Sequence, residues 1–218
     1  MSFTHEWLDR HSIIRIDNPT GRKYETPEGN KYESVTTWLG RIQDSSWIEE
    51  WKNAIGEEEA EKIVRRAATR GTVLHEGVER HLRNEVVTGL NMLDRIRWVA
   101  MTKVLNKKVN RILALEYPLY SNALRLAGTV DCVAYFEGVL SIIDFKTSKN
   151  RKDKADIDSY FLQCAIYSYM IEELYKIKID KLVILMALDN EDKVQVFEDS
   201  RKNWSKRLIQ ELKKNPPK

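Results

Sequence analysis

Gly128-Thr129-Val130-Asp131-Cys132-Val133-Ala134-Tyr135-Phe136-Glu137-Gly138-Val139-Leu140-Ser141-Ile142-Ile143-Asp144-Phe145-Lys146-Thr147 consists of two alternating, β-branched runs joined by a dipeptide. Glu137-Gly138 reads as a two-residue hairpin turn, with Gly supplying the positive φ that such turns need. The turn fixes the register. Phe136 faces Val139, Tyr135 faces Leu140, Val133 faces Ile142, and Asp131 falls opposite Asp144, with Cβ atoms about 4.5–5.5 Å apart. Alternation puts Asp144 and Lys146 on one face and makes Thr129 the cross-strand partner of Lys146.

Opposed carboxylates amid Val130, Cys132, Val133, Ile142 and Ile143 destabilise a hairpin unless something neutralises them. A hard divalent cation is one neutraliser, since Mg²⁺ prefers carboxylate oxygens and keeps waters in its remaining positions. Lys146 then stands where it can hold or deprotonate such a water. The other reading is a half-exposed hairpin whose acids face solvent and pair with Lys146. Asp-x-Lys is a common tripeptide, and the residues alone leave both readings open.

Away from the hairpin, period-two runs predict strands over Ile112–Leu119, Leu124–Phe136, Val139–Thr147, Leu182–Leu188 and Val194–Phe197. A helix from Asp158 to Tyr175 lies between the third and fourth strands, and an amphipathic helix with Trp204, Leu208, Ile209 and Leu212 precedes Pro216-Pro217. The first half reads as helices. Ser34 to Thr37 offer caps before Trp38 and Leu39, and Ser45-Ser46 precede Trp47, Ile48 and Trp51. Glu57–Thr69 carries its acids early and Arg65 and Arg66 late, as a helix dipole favours. Gly71 is expected to break that helix, with further helices over Thr72–Leu82 and Asn91–Val109. This order predicts an α/β (α+β) fold in one domain: a mainly helical part to residue 110, a catalytic sheet with a crossover helix over 111–200, and a C-terminal helix over 201–218.

The 218 residues suit one domain of ordinary size. Apolar residues at 42% and charged residues at 32% give a globular balance. No apolar run approaches the roughly 20 residues that cross a bilayer, and Glu6 and Asp9 stand where a signal or transit peptide avoids acids. A cytoplasmic location is the expectation, the host's cytoplasm if the gene is a phage's. A net charge of +3 makes any nucleic-acid affinity a matter of local clusters. Two cysteines, Cys132 and Cys164, cannot supply a four-cysteine zinc or iron–sulfur site, and both read as buried apolar residues. Without a Walker motif no nucleotide cofactor is expected.

Gly128-Thr129-Val130-Asp131 followed by Ile143-Asp144-Phe145-Lys146-Thr147-Ser148 resembles motifs II and III of the RecB-like branch of PD-(D/E)xK nucleases. Gln163-Cys164-Ala165-Ile166-Tyr167 resembles the family's Gln-x-x-x-Tyr motif, and Arg70-Gly71-Thr72-Val73-Leu74-His75 its upstream histidine motif. Ser34-Val35-Thr36 is similar to an N-terminal motif of mitochondrial genome maintenance and phage exonucleases. The resemblance implies a restriction-endonuclease-like central mixed sheet flanked by helices, and a Mg²⁺- or Mn²⁺-dependent deoxyribonuclease acting in replication, repair or recombination. It implies Asp131, Asp144, Lys146, Gln163 and Tyr167 as the catalytic set. His75, Glu116, Asp131, Asp144 and the Phe145 carbonyl are implied as metal ligands.

Imidazole suits metals softer than Mg²⁺, and His75 borders an apolar stripe that points it inward. Glu116 is otherwise an ordinary strand glutamate. Gln163 and Tyr167 place an amide in an apolar helix face, where it supports Lys146 or touches DNA. Ser34, Thr36, Arg70, Thr147, Ser148, Lys149, Arg151 and Lys152 are the expected DNA contacts, the basic loop after Lys146 gripping phosphates. Trp38, Trp47 and Trp51 offer ring faces to unstacked bases, with core packing as the alternative for at least two of them. Single-stranded DNA with a free end is the expected substrate, and a helicase, polymerase or single-strand-binding protein the expected company. A site-specific endonuclease and a non-catalytic recombination accessory are the competing readings, since a fold does not fix a substrate.

Overall fold

The computed structural model describes residues 2–18, 21–43, 46–189 and 191–218, and is built on one nine-stranded mixed sheet flanked by helices. Four strands come first: β1 (Thr4–His5), β2 (Ile14–Asn18), β3 (Gly21–Glu25) and β4 (Lys31–Ser34). Then follow α1 (Val35–Ile42), α2 (Ser46–Ile55), α3 (Glu57–Leu82) and α4 (Met92–Lys108). The second half runs β5 (Val109–Ser121), β6 (Leu126–Phe136), β7 (Val139–Ser148), α5 (Asp158–Tyr175), β8 (Lys181–Leu188), β9 (Val194–Ser200) and α6 (Arg201–Lys214). No helix among the described residues is long and apolar enough to cross a membrane.

The second half follows the alternation closely. The first half does not read as helices alone, because β1 to β4 join the sheet. The strands are short, β2 is largely exposed, and β3 and β4 bury Tyr24, Tyr32, Glu33 and Ser34 among charged neighbours, so they carry little of the apolar alternation that marks a buried strand. Ser34 caps α1 as expected, its Oγ accepting from Thr37 N at 3.0 Å. Ser45 lies outside the described residues.

Gly71 breaks nothing, and α3 is one continuous helix of 26 residues. An interior glycine costs only about 1 kcal/mol against alanine, and helix propagation with the burial of Leu74, Val78 and Leu82 outweighs it. Cys132 and Cys164 are both free and fully buried, as their reading requires.

Two apolar cores cover the two faces of the sheet. Leu74, Val78, Leu82, Met101 and Leu105 of α3 and α4 pack on Cys132, Ile143, Phe145, Val183 and Leu185. Helices α1, α5 and α6 pack on Val133, Ile142, Ile184 and Met186. Helix α5 buries ten of its residues, which explains why its sequence is apolar nearly all round.

The hairpin register is as read: Phe136 pairs with Val139, Tyr135 with Leu140 and Val133 with Ile142, and Glu137 and Gly138 both have positive φ. Its reach is shorter, because the β6–β7 ladder stops at Cys132 and Ile143. Beyond that rung β7 goes on pairing with β8, while the same edge of β6 is next taken by β4, at Leu126 and Ala127. The sheet therefore forks, and the edge of Gly128–Asp131 faces the opening. Thr129 is not paired with Lys146; it lies opposite Pro118 of β5, and its hydroxyl meets the Tyr24 hydroxyl at 3.2 Å.

Gly71→Ala tests the unbroken α3. No neighbour lies within 4 Å of the Cβ it would add, and the residue is helical. Thermal unfolding is expected to rise by roughly 2 °C, for about 0.5–1 kcal/mol. A lowered midpoint would mean that the helix is interrupted there.

Candidate metal centre and active site

Three adjacent strands each bring one acid to the fork. Glu116 of β5 lies between the rungs Leu115–Cys132 and Tyr117–Val130, opposite Asp131. Asp131 in turn lies one step beyond the rung Cys132–Ile143, in line with Asp144. The two strands turn over at this row. Leu115 and Tyr117 would share a face of an ideal strand, yet they belong to opposite cores, as do Val130 and Cys132. Glu116 has φ +42°, a left-handed conformation that a non-glycine residue adopts at a cost and that clusters at functional sites.

Asp131, only 8% exposed, fastens the fork: its Oδ2 accepts the Phe145 backbone N–H at 2.8 Å, where the main-chain ladder has ended. His75 enters from α3. Its Nε2 donates to the Phe145 carbonyl at 2.8 Å, and its Nδ1 lies 3.4 Å from Glu116 Oε1 and 3.7 Å from Asp131 Oδ2. Burial opposes the charged imidazole, but Asp131 and Glu116 outweigh it and raise its pKa to about 9.

Asp144, 2% exposed, is held by other partners. Gln163 of α5 donates to its Oδ1 at 2.7 Å, and Lys146 Nζ stands 2.6 Å from its Oδ2. Burial pushes the Asp144 carboxyl up, Lys146 pulls it down and Asp131 pushes it up again. Burial also works against the Lys146 ammonium, yet Asp144 and Asp131 hold its pKa above the usual lysine range. Its Nζ lies 5.0 Å from the centre of the Tyr160 ring.

These groups fit a divalent cation. One ligand atom each from His75, Glu116 and Asp131 lie within 4.8 Å of one another, two carboxylates and an imidazole, a donor set that suits Mn²⁺ better than Mg²⁺. The buried Asp144 Oδ2 makes no directed hydrogen bond besides its ion pair with Lys146. The Phe145 carbonyl, read as a ligand, is here the acceptor that orients His75, the usual support for a metal-binding imidazole.

A cleft of about 550 Å³ opens on this floor, lined by Ser34, Thr36, His75, Glu116, Asp131, Lys146, Gln163 and Tyr167. Gly128 has to be glycine here, since a Cβ would sit 2.8 Å from the Tyr167 hydroxyl. Gln163 supports Asp144 rather than Lys146 directly.

The remaining expected DNA contacts lie elsewhere. Arg70 donates to Asp189 at 2.6 Å in a separate hollow shared with Arg65, Arg66 and Arg97. Thr147, Ser148, Lys149, Arg151 and Lys152 do not line the cleft; Arg151 pairs with Glu191, and the Ser148 hydroxyl bonds Asn150 O. Trp38 is fully buried and donates to Asn215 O, so its ring meets no base; Trp47 is exposed and Trp51 half-buried.

Arg15, Arg22, Tyr24 and Tyr160 also line the cleft and were missed. Tyr160 stands three residues before Gln163 and seven before Tyr167, a helical face that was there to be read. Arg15 and Arg22 flank Asn18-Pro19-Thr20-Gly21, a turn signal between short alternating runs.

The profile of the PD-(D/E)XK nuclease superfamily matches residues 5–215. Mitochondrial genome maintenance exonuclease 1 of Mus musculus is 28% identical over 131 residues, covering 56% of this chain and 39% of that protein. The Homo sapiens protein of the same name is 27% identical over 170 residues, covering 71% of this chain and 48% of that protein. The chain thus spans less than half the length of these relatives.

Asp131→Asn is expected to abolish Mn²⁺ binding in calorimetric titration while the metal-free protein keeps or gains stability. The amide oxygen of the new side chain can still accept from Phe145 N, and one of three like charges is gone. Unchanged Mn²⁺ affinity would remove Asp131 from the metal centre.

Proposed function

The chain belongs to the PD-(D/E)XK nuclease superfamily, and from that we propose that it is a metal-dependent exonuclease, degrading single-stranded DNA from a free end during replication, repair or recombination in the cytoplasm. The observation that carries the reading is the convergence of His75, Glu116 and Asp131 beside the Asp144–Lys146 pair in one cleft. His75, Glu116 and Asp131 would hold Mn²⁺ or Mg²⁺, which would supply Lewis acidity toward a phosphoryl oxygen and offset the carboxylates.

The chain's own side chains do the rest. Lys146, fixed between Asp144 and the ring of Tyr160, meets the attacking water. Gln163 anchors Asp144, so the ion pair that aims Lys146 keeps its geometry. Asp131 keeps the fork open by replacing a backbone acceptor, and Thr36 offers a hydroxyl to the strand from the opposite wall, while the buried Ser34 hydroxyl is spent on Thr37 and holds that wall in place.

A free-end, single-strand substrate is supported by the exonuclease relatives and by the helices beside the cleft. Gly40 and Gln43 of the α1 segment line it, and α2 begins three residues later, burying none of its residues and exposing the Trp47 ring. An exposed ring in the helix that follows α1 suits sequence-independent stacking.

Linear single-stranded DNA, closed circular single-stranded DNA and blunt duplex, compared under Mg²⁺ and Mn²⁺, test the substrate. Nucleotide release from the linear strand alone is expected; efficient cutting of the circle, or discrete duplex fragments, would replace the reading with an endonuclease. Lys146→Ala is expected to lower turnover by about 10²–10⁴-fold with DNA affinity nearly intact. Loss of affinity in step with rate would make Lys146 a phosphate contact instead.

A further inference from the structure

One wall of the cleft carries residues that metal binding and hydrolysis leave unused. Arg15 of β2 and Arg22 of β3 line the cavity that holds His75, Asp131 and Lys146. Both turn to a single carboxylate: Arg15 Nε lies 2.8 Å from Asp17 Oδ2, and Arg22 Nε 2.9 Å from Asp17 Oδ1. Two guanidinium groups on one carboxylate leave one positive charge uncompensated at the mouth of the cleft. The side chains of Arg15, Arg22 and Asp17 are 50%, 37% and 59% exposed, and ion pairs this exposed contribute little to stability. They exchange partners readily. A phosphate presents the guanidinium fork with the same paired oxygens as a carboxylate.

The hairpin that carries them is firmly seated. Gly21, at φ +128°, lies so near α1 that a Cβ would stand 2.7 Å from Thr37 Cγ2. Arg22 N donates to Thr37 Oγ1 at 3.2 Å, and that hydroxyl also accepts from Ser34 at 2.8 Å. Tyr24, 2% exposed and opposite Arg15 across the two strands, anchors the hairpin to Thr129 of β6 at the fork. The backbone that carries the two arginines is thus fixed on the cleft wall, while their exposed side chains are not.

We propose that β2 and β3 form a phosphate clamp: Arg15 and Arg22 bind a backbone phosphate of the strand lying in the cleft, and Asp17 occupies their donors when no strand is bound. This rests on the nuclease reading but not on the exonuclease one. Asp17 is then an internal competitor that lowers affinity, and its removal has the opposite sign to removal of either arginine. The clamp needs no metal.

The test is fluorescence anisotropy of a labelled oligothymidylate against NaCl concentration, with the full chain in EDTA, so that no turnover intervenes. Arg15→Ala and Arg22→Ala should each weaken binding about fivefold at 0.1 M salt and reduce the slope of log K against log[NaCl] by about 0.7, the value of one single-strand phosphate contact. Asp17→Asn should tighten binding by a similar factor, and Lys202→Ala on α6, which removes one positive charge as each arginine variant does, should alter neither quantity. Asp17→Asn carries the test even if an arginine variant fails to fold. Unchanged or weaker binding by Asp17→Asn, slopes unmoved by both arginine variants, or no wild-type binding in EDTA would overturn the proposal. Cutting of closed circles would overturn only the free-end reading and leave the clamp standing.

Discussion

The site hangs on the hydrogen bond from the Phe145 backbone N–H to Asp131 Oδ2, at the step where β6 and β7 part. A side-chain carboxylate there takes over from a main-chain carbonyl. It satisfies a buried donor that would otherwise cost about 1–3 kcal/mol and lets the two strands diverge without an orphaned group. Everything chemical follows from the gap. His75 of α3 reaches Asp131 on one side of the gap, and Gln163 of α5 reaches Asp144 on the other.

The same gap concentrates charge. Glu116, Asp131 and Asp144 form a row across three strands, and two carboxylates about 5 Å apart repel by on the order of 3 kcal/mol even at an effective dielectric of 20. The metal-free protein answers with cations of its own: His75 against Glu116 and Asp131, and Lys146 against Asp144. Those internal cations neutralise part of the row, and a divalent ion at His75 would have to displace the imidazole proton that Asp131 and Glu116 favour. The left-handed Glu116 belongs to the same logic, since backbone strain there turns a strand glutamate toward the cluster.

Polar groups on the cleft walls then divide the work. The α5 wall is fixed by Gln163 and by Tyr167 packed against Gly128, while the N-terminal wall is a hairpin with exchangeable ion pairs. A floor of buried, hydrogen-bonded groups and a wall of exposed ion pairs thus face the same cleft. Arg70 shows the contrast. Its salt bridge to Asp189 ties α3 to the end of β8, and it takes no part in the cleft.

The sequence by itself determined the turn and first rungs of the β6–β7 hairpin, the crossover helix α5 to its end residues, and the placing of Asp144 and Lys146 on one face of their strand. These depend on local rules: two-residue periodicity, a turn with positive φ, a helical stripe. It also put forward His75, Asp131 and Gln163 through family motifs, and the fold brings these three to one cleft. Only the tertiary structure decided that α3 runs through Gly71, that β1 to β4 belong to the sheet, that Trp38 is core, and that the basic loop after Lys146 stays away from the cleft. Each of these turns on which distant segment packs against which. Short strands are stabilised by neighbours, a helical glycine is tolerated when packing of the following turns outweighs its small cost, and a charged side chain is claimed by the nearest opposite charge, whose position no local pattern encodes.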